Sequence, residues 1–197
     1  MSQPSKPATI RQPMILYACH PEVVVDPAVP VPRWHLSDVG IRRMRAFAAA
    51  QPRPDAVWAS TECKAIEAAG ILAARFGLPV QVHPGLDEND RSSSGYLPAE
   101  RFQAAADAFF AAPDLSHQGW ERAVDAQARV AAAWDEIVGT PGRIVIVGHG
   151  GTGTLLMCRL AGLPISRIHD AARQGCYWAW DPVAGQLAHA WRALEIA

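Results

Sequence analysis

Apolar residues fall along this chain in short solid runs separated by longer stretches with helical spacing. The run MILYAC at 14–19 is long enough for a buried strand and stops at His20-Pro21. DAVWA at 55–59, the segment 79–82 and RIVIV at 143–147 have the same character. Between them lie helical patterns: about 38–50 behind a Ser37 or Asp38 cap, and 62–76 behind Ser60 or Thr61 and closed by Gly77. Further helices are expected at about 99–111 and 120–138, with the breaker 113–119 between them, and at 154–161 after the glycine-rich stretch 148–153. Thr140-Pro141-Gly142 reads as a turn. Two strands, 175–180 and 186–191, joined by DPVAG, end the chain. The polar stretch 83–96 reads as a surface loop over a site or a mobile cover.

Strands alternating with helices argue for an α/β three-layer sandwich, a mostly parallel central sheet with helices on both faces. No linker or repeat interrupts residues 13–197, so one domain is expected there, behind a polar, proline-dotted segment 1–12 expected to be flexible. The composition, 50% hydrophobic and 19% charged over 197 residues, suits a globular chain and not a disordered one. A net charge of −1 gives no basic excess for nucleic acid or an anionic membrane. No apolar run approaches the roughly 20 residues of a membrane span. The four cysteines, Cys19, Cys63, Cys158 and Cys176, are widely spaced with no CxxC, and read as reduced thiols of a cytoplasmic protein.

In a sheet of this kind ligands bind beyond the carboxyl ends of the strands. That rule selects His20, residues 60–64, the loop after Val82, and His149. One histidine after a strand is unremarkable. Two, on strands able to be neighbours, point to imidazole chemistry near neutral pH. Other chemistries share these residues. Gly148-His149-Gly150-Gly151-Thr152-Gly153 satisfies the dinucleotide pattern G-x-G-x-x-G, although it lies in the last quarter of the chain with no βαβ unit after it. Cys19, His20, Glu88 and His149 make a zinc set if they converge, and Cys19 beside imidazoles makes a reactive thiolate. The plain alternative is that Cys19 fills the end of its strand. The aromatic residues Tyr177, Trp178, Trp180 and Trp191 are either core or the face of a homodimer.

Five segments, in order, give the chain a resemblance to the histidine phosphatase superfamily, the phosphoglycerate mutase-like fold. Cys19-His20-Pro21-Glu22 stands where that family has Arg-His-Gly-Glu. Leu36-Ser37-Asp38-Val39-Gly40 matches its first helix start, and Ser60-Thr61-Glu62-Cys63-Lys64-Ala65 its Ser-x-x-x-Arg-Ala. Leu86-Asp87-Glu88 matches the segment carrying an acid, and Val147-Gly148-His149-Gly150-Gly151 the one with the second histidine. The resemblance implies a phosphomonoesterase with His20 as phosphorylated nucleophile, His149 stabilising the transferring group and Glu88 as general acid. It implies substrate binding by Lys64, Cys19, Glu22, Asp26, Ser60 and Gly150, no metal and no cofactor, and a small phosphorylated molecule or phosphate or sulfate anion as ligand.

The departures bear on activity. Cys19 and Lys64 stand in place of two arginines, Pro21 in place of a glycine, and Asp26 in place of a phosphate-binding asparagine. A charge-assisted hydrogen bond contributes about 1.5–3 kcal/mol. The losses therefore predict low activity, or an inactive relative that binds a ligand or partner in the same pocket. Arg33, Arg42 and Arg91 are the cations available to compensate.

Overall fold

A computed structural model describes residues 13–139 and 142–195. The expected flexible segment 1–12 and residues 140 and 141 of the expected turn lie outside the described residues. Six strands form one sheet: β1 (Met14–Cys19), β2 (Ala56–Ala59), β3 (Val80–Val82), β4 (Arg143–Gly148), β5 (Cys176–Asp181) and β6 (Gln186–Ala193). Their order is β3-β2-β4-β1-β5-β6. The first four run parallel, β5 is antiparallel to β1, and β6 returns antiparallel to β5.

Alternation along the central strands divides the core. Leu16, Ala18, Val145 and Val147 face α1 (Asp38–Ala50) and α2 (Cys63–Phe76), which bring Met44, Phe47, Ala65 and Leu72. Ile15, Tyr17, Ile144 and Ile146 face α4 (Ala123–Val138) and α5 (Gly150–Ala161), which bring Trp134, Ile137, Leu156 and Met157. Helix α3 (Ala99–Ala111) packs Phe109 and Phe110 with Trp120 in a satellite cluster that Leu155 of α5 joins. The expected three layers are therefore present. Solid apolar runs suit β1 and β4 because both of their faces are covered. Trp178 is fully buried and stacks on Tyr17 at 5.1 Å, so this ring belongs to the core. No helix among the described residues is long and apolar enough to cross a membrane.

Two differences from the sequence expectation concern the site. Helix α5 begins at Gly150 rather than Thr154, so the glycines form its first turn. Their low helix propensity is outweighed by close neighbours. A Cβ at Gly151 would come 2.8 Å from a Glu88 oxygen, and one at Gly153 2.4 Å from the Tyr17 ring. The pattern read above as a dinucleotide fingerprint is thus accounted for by packing. The loop 83–96, in turn, is fastened rather than a free cover. Arg129 of α4 donates to the carbonyls of Gly85, Asp87 and Glu88 at 3.0–3.3 Å, and Trp120 Nε1 donates to Ser94 Oγ at 2.9 Å.

Candidate active site

The position of the two histidines follows from strand register. Cys19 pairs with Gly148 at the carboxyl ends of β1 and β4, so the next residue on each strand is a histidine. His20 N donates to Gly148 O at 3.0 Å. From β1 the chain passes to α1 on one face, and from β4 to α5 on the other. The crevice between these strand ends is the switch point at which ligands bind in open α/β sheets. The two imidazoles meet there edge to face, with ring centroids 5.3 Å apart.

His20 is buried, and its Nδ1 lies 2.9 Å from the carbonyl of Pro21. A carbonyl only accepts, so Nδ1 carries the proton. Burial, assisted by the neighbouring His149 and Lys64, pushes its pKa down to about 3. The ring is therefore neutral at physiological pH with its lone pair on Nε2. Such an imidazole is a competent nucleophile.

His149 is fully buried, and burial lowers its pKa as well. Its backbone N donates to the Tyr17 hydroxyl at 3.2 Å. Its Nε2 lies 2.7 Å from Ser60 Oγ and 3.4 Å from Glu62 Oε1, while Nδ1 has no partner among the described residues. Ser60 reaches it because β2 runs beside β4, with Ser60 N donating to Val147 O at 3.1 Å.

Lys64 is almost fully buried on the first turn of α2. Its ammonium donates to Val31 O at 2.9 Å and pairs with Glu62. Glu62 also accepts from Glu88 N at 3.1 Å. Burial of Glu62 favours its neutral form. Its electrostatic interactions with His149 and Lys64, with the hydrogen bonds from Lys64 and Glu88 N, outweigh that effect and hold its pKa at about 2. The carboxylate thus sits as an internal anion between the lysine and the second histidine. The strand-end rule includes Glu62 among residues 60–64, but the sequence assigns it no role. The signal it carried was a glutamate two residues before a lysine at the buried start of an apolar helix.

Glu88 accepts from Gly151 N at 3.3 Å and Thr152 N at 3.0 Å, which places a carboxylate on the N-terminus of α5. Gly150 lies one position earlier on the same turn and lines the cavity. Cys19 also lines it, and its sulfur accepts from Cys176 N at 3.2 Å. Burial pushes its pKa up to about 12, so it is a thiol and not a thiolate near neutral pH. That supports the strand-end reading of Cys19. The proposed zinc set does not converge: among the described residues, no three His, Cys, Asp or Glu side chains are placed to share an ion.

Ser60, Lys64 and His149 are buried behind this cavity rather than on its wall, and two further expected binding residues, Glu22 and Asp26, are turned to solvent. Glu22 is exposed and accepts from Ser37 Oγ at 2.7 Å, bracing the start of α1. Asp26 is also exposed and closes its own turn by accepting from Ala28 N at 2.9 Å. The loop from Glu22 to Arg33 folds on local bonds, which turns both carboxylates aside. His35 pairs with Glu67 and His83 with Glu136 at 3.1 Å, and neither lines the cavity.

The cavity holding His20 has a volume of about 480 Å³. Cys19, Glu88, Gly150 and Gly151 share it with Trp34, Tyr96 and Phe102, and Arg91 also lines it. A second hollow of about 740 Å³ adjoins it through Val31, Glu88, Arg91 and Tyr96, and is lined by Glu62. A third hollow, about 820 Å³, is a surface depression between α1 and α2 that carries none of the strand-end residues.

A sequence profile of the histidine phosphatase superfamily (branch 1) matches residues 31–180. A search of curated proteins finds no match. Among solved structures, the mycobacterial glucosyl-3-phosphoglycerate phosphatase with inorganic phosphate superposes with a TM-score of 0.75 at 20% identity, covering 94% of this chain and 100% of that one. The same phosphatase in complex with VO3 gives 0.76 at 22% identity, covering 92% and 99%. The alpha-ribazole phosphatase of Shigella flexneri gives 0.66 at 19% identity, covering 93% and 98%. At these identities the structural likeness speaks for the fold. The profile match covers more than half of the chain, from the start of α1 through β4 and α5 to β5, and the chain belongs to the histidine phosphatase superfamily.

Proposed function

We propose that this protein hydrolyses a small phosphomonoester through a phosphohistidine on His20, with low activity because phosphate is weakly held. The observation that carries the proposal is the state of His20. It is neutral, oriented by Pro21 O, and leaves Nε2 free beside His149. In the first step the Nε2 lone pair attacks phosphorus and the bond to the alcohol oxygen breaks. Glu88 supplies the proton that the departing oxygen takes up. In the second step water attacks the phosphohistidine, the N–P bond breaks, inorganic phosphate leaves, and the water proton returns to Glu88. In this scheme His149, whose Nδ1 has no partner among the described residues, and the N–H of Gly150 donate to the phosphoryl oxygens. Neither a metal nor a cofactor takes part in this scheme. Mycobacterial and Shigella proteins of the same fold are named as phosphatases, which supports the reaction class but not a substrate.

Low activity follows from charge. Lys64 is engaged by Glu62, and Cys19 contributes no charge. The same pairing favours a second reading, a relative that binds a ligand in this cavity without turnover. Turnover of para-nitrophenyl phosphate separates the two. His20→Ala is expected to lower it by at least about 1,000-fold with the fold retained, since removal of a covalent nucleophile abolishes the two-step route. Wild-type turnover that survives His20→Ala rules out the phosphohistidine.

A further inference from the structure

We propose that Arg91, from the loop after β3, supplies the guanidinium that holds the phosphoryl oxygens of the substrate. It would stand in for the arginines that the family resemblance places at Cys19 and Lys64. The proposal rests on the phosphatase reading of the same cavity.

A phosphoryl group in a half-enclosed pocket needs cationic donors aimed at its oxygens. The cations around the crevice are nearly all engaged. Lys64 holds Glu62 and Val31 O. Arg129 holds Glu121 and three loop carbonyls. Arg167 pairs with Asp107 at 3.0 Å and Asp170 at 3.5 Å, and Arg173 with Glu195 at 3.0 Å. Arg91 differs from all of these. Its guanidinium carbon lies 4.9 Å above the Phe102 ring and 5.8 Å from Trp120, and its contacts among the described residues are with these ring faces. Among the described residues its guanidinium donates to no carboxylate or carbonyl.

Ring faces orient a guanidinium without using up its five N–H donors. The seat is itself built. Arg91 O accepts from Ser94 N at 3.1 Å and Gly95 N at 3.0 Å, and Ser94 Oγ accepts from Trp120 Nε1. The backbone that carries the arginine is thus tied to one of the rings beneath it. Arg91 lines the cavity with His20, Glu88 and Gly150. Its charge also reaches His149, where it adds to the effect of burial in lowering the imidazole pKa. A guanidinium seated on ring faces in the cavity that holds the neutral nucleophile His20 is the arrangement a phosphoryl group requires.

The test compares wild type, Arg91→Met, Arg91→Lys and His20→Ala, using inorganic phosphate in a thermal shift and para-nitrophenyl phosphate for turnover. Methionine keeps an apolar stem on the rings and lysine keeps the charge without the fork. Arg91→Met is expected to lower kcat/KM at least about tenfold, mostly by raising KM, and to remove most of the stabilisation by tens of millimolar phosphate. Arg91→Lys should fall between, and decides the matter should the methionine variant not fold. His20→Ala should lose turnover and keep the phosphate shift. Unaltered KM and an unaltered phosphate shift in both arginine variants overturn the assignment. So does a wild type that phosphate does not stabilise. Turnover that persists in His20→Ala overturns the phosphohistidine and leaves Arg91 to be judged on the phosphate shift.

Discussion

The carboxyl ends of β1 and β4 lie side by side, and each delivers a histidine to the same crevice, but they are furnished differently. After His149 the chain turns at once into α5, with Gly151 and Gly153 leaving room for Glu88 and Tyr17. After His20 come Pro21 and a loop whose carboxylates, Glu22 and Asp26, are spent on Ser37 and Ala28. The family profile includes the end of β4 and begins only at residue 31, beyond the end of β1. What backbone and small residues supply is intact: register, the helix N-terminus, and close packing under it. What charged side chains supply has been exchanged at Cys19 and Lys64. An internal carboxylate, Glu62, now takes up the charge that remains. Placement of the histidines survives such exchanges because it depends on the pairing of Cys19 with Gly148 and not on the side chains around it.

The largest effect is expected at the internal anion. Glu62→Gln leaves the Lys64 ammonium buried without a countercharge, and breaking a buried pair costs about 3–5 kcal/mol. The melting temperature should fall. Phosphate at tens of millimolar should recover more of that fall than it adds to wild type, because the anion replaces the lost carboxylate. Equal phosphate shifts in the two proteins break the idea that Glu62 occupies the place of a ligand.

Acid should then tell the histidine side from the carboxylate side. Burial depresses His20 to about 3, against about 6.5 in an unfolded chain. Unfolding therefore takes up a proton as pH falls, and stability is lost from about 6.5 downward toward 3. His149, also depressed, acts in the same direction. Glu62, held at about 2 against a usual 4.5, adds its loss only between those values. A decline of several degrees in Tm between about pH 7 and pH 5 is expected, and His20→Gln should flatten it. A slope unchanged in His20→Gln would mean that His20 is not held neutral by the fold.

The smallest expected effect restores one lost charge. Cys19 lines the cavity, so Cys19→Arg should raise para-nitrophenyl phosphate turnover at least about tenfold, equivalent to about 1.4 kcal/mol of transition-state stabilisation. Cys19→Ser should change little, as the thiol is not ionised. A normally folded Cys19→Arg with no gain would place the defect elsewhere in the pocket. Loss of activity in Cys19→Ser would make the thiol the functional group.

The sequence alone determined the layers, the strand ends and the two histidines. Apolar runs and helical stripes are local patterns, and a strand of β1 or β4 type is visible because both its faces are buried. The same patterning misplaced the start of α5, since propensity cannot see Glu88 and Tyr17 pressing on Gly151 and Gly153. Only the tertiary structure decided which charges are free. Glu22 and Asp26 carry signature positions in the sequence yet turn outward, because bonds to Ser37 and Ala28 within or near their own loop satisfy them. Glu62 and Arg91 carry no such signature. One is buried between Lys64 and His149, brought together from α2 and the end of β4, and the other is laid on Phe102 and Trp120 from beyond the loop. The charge a side chain presents depends on partners distant in sequence, and those partners exist only once the sheet and helices have closed around them.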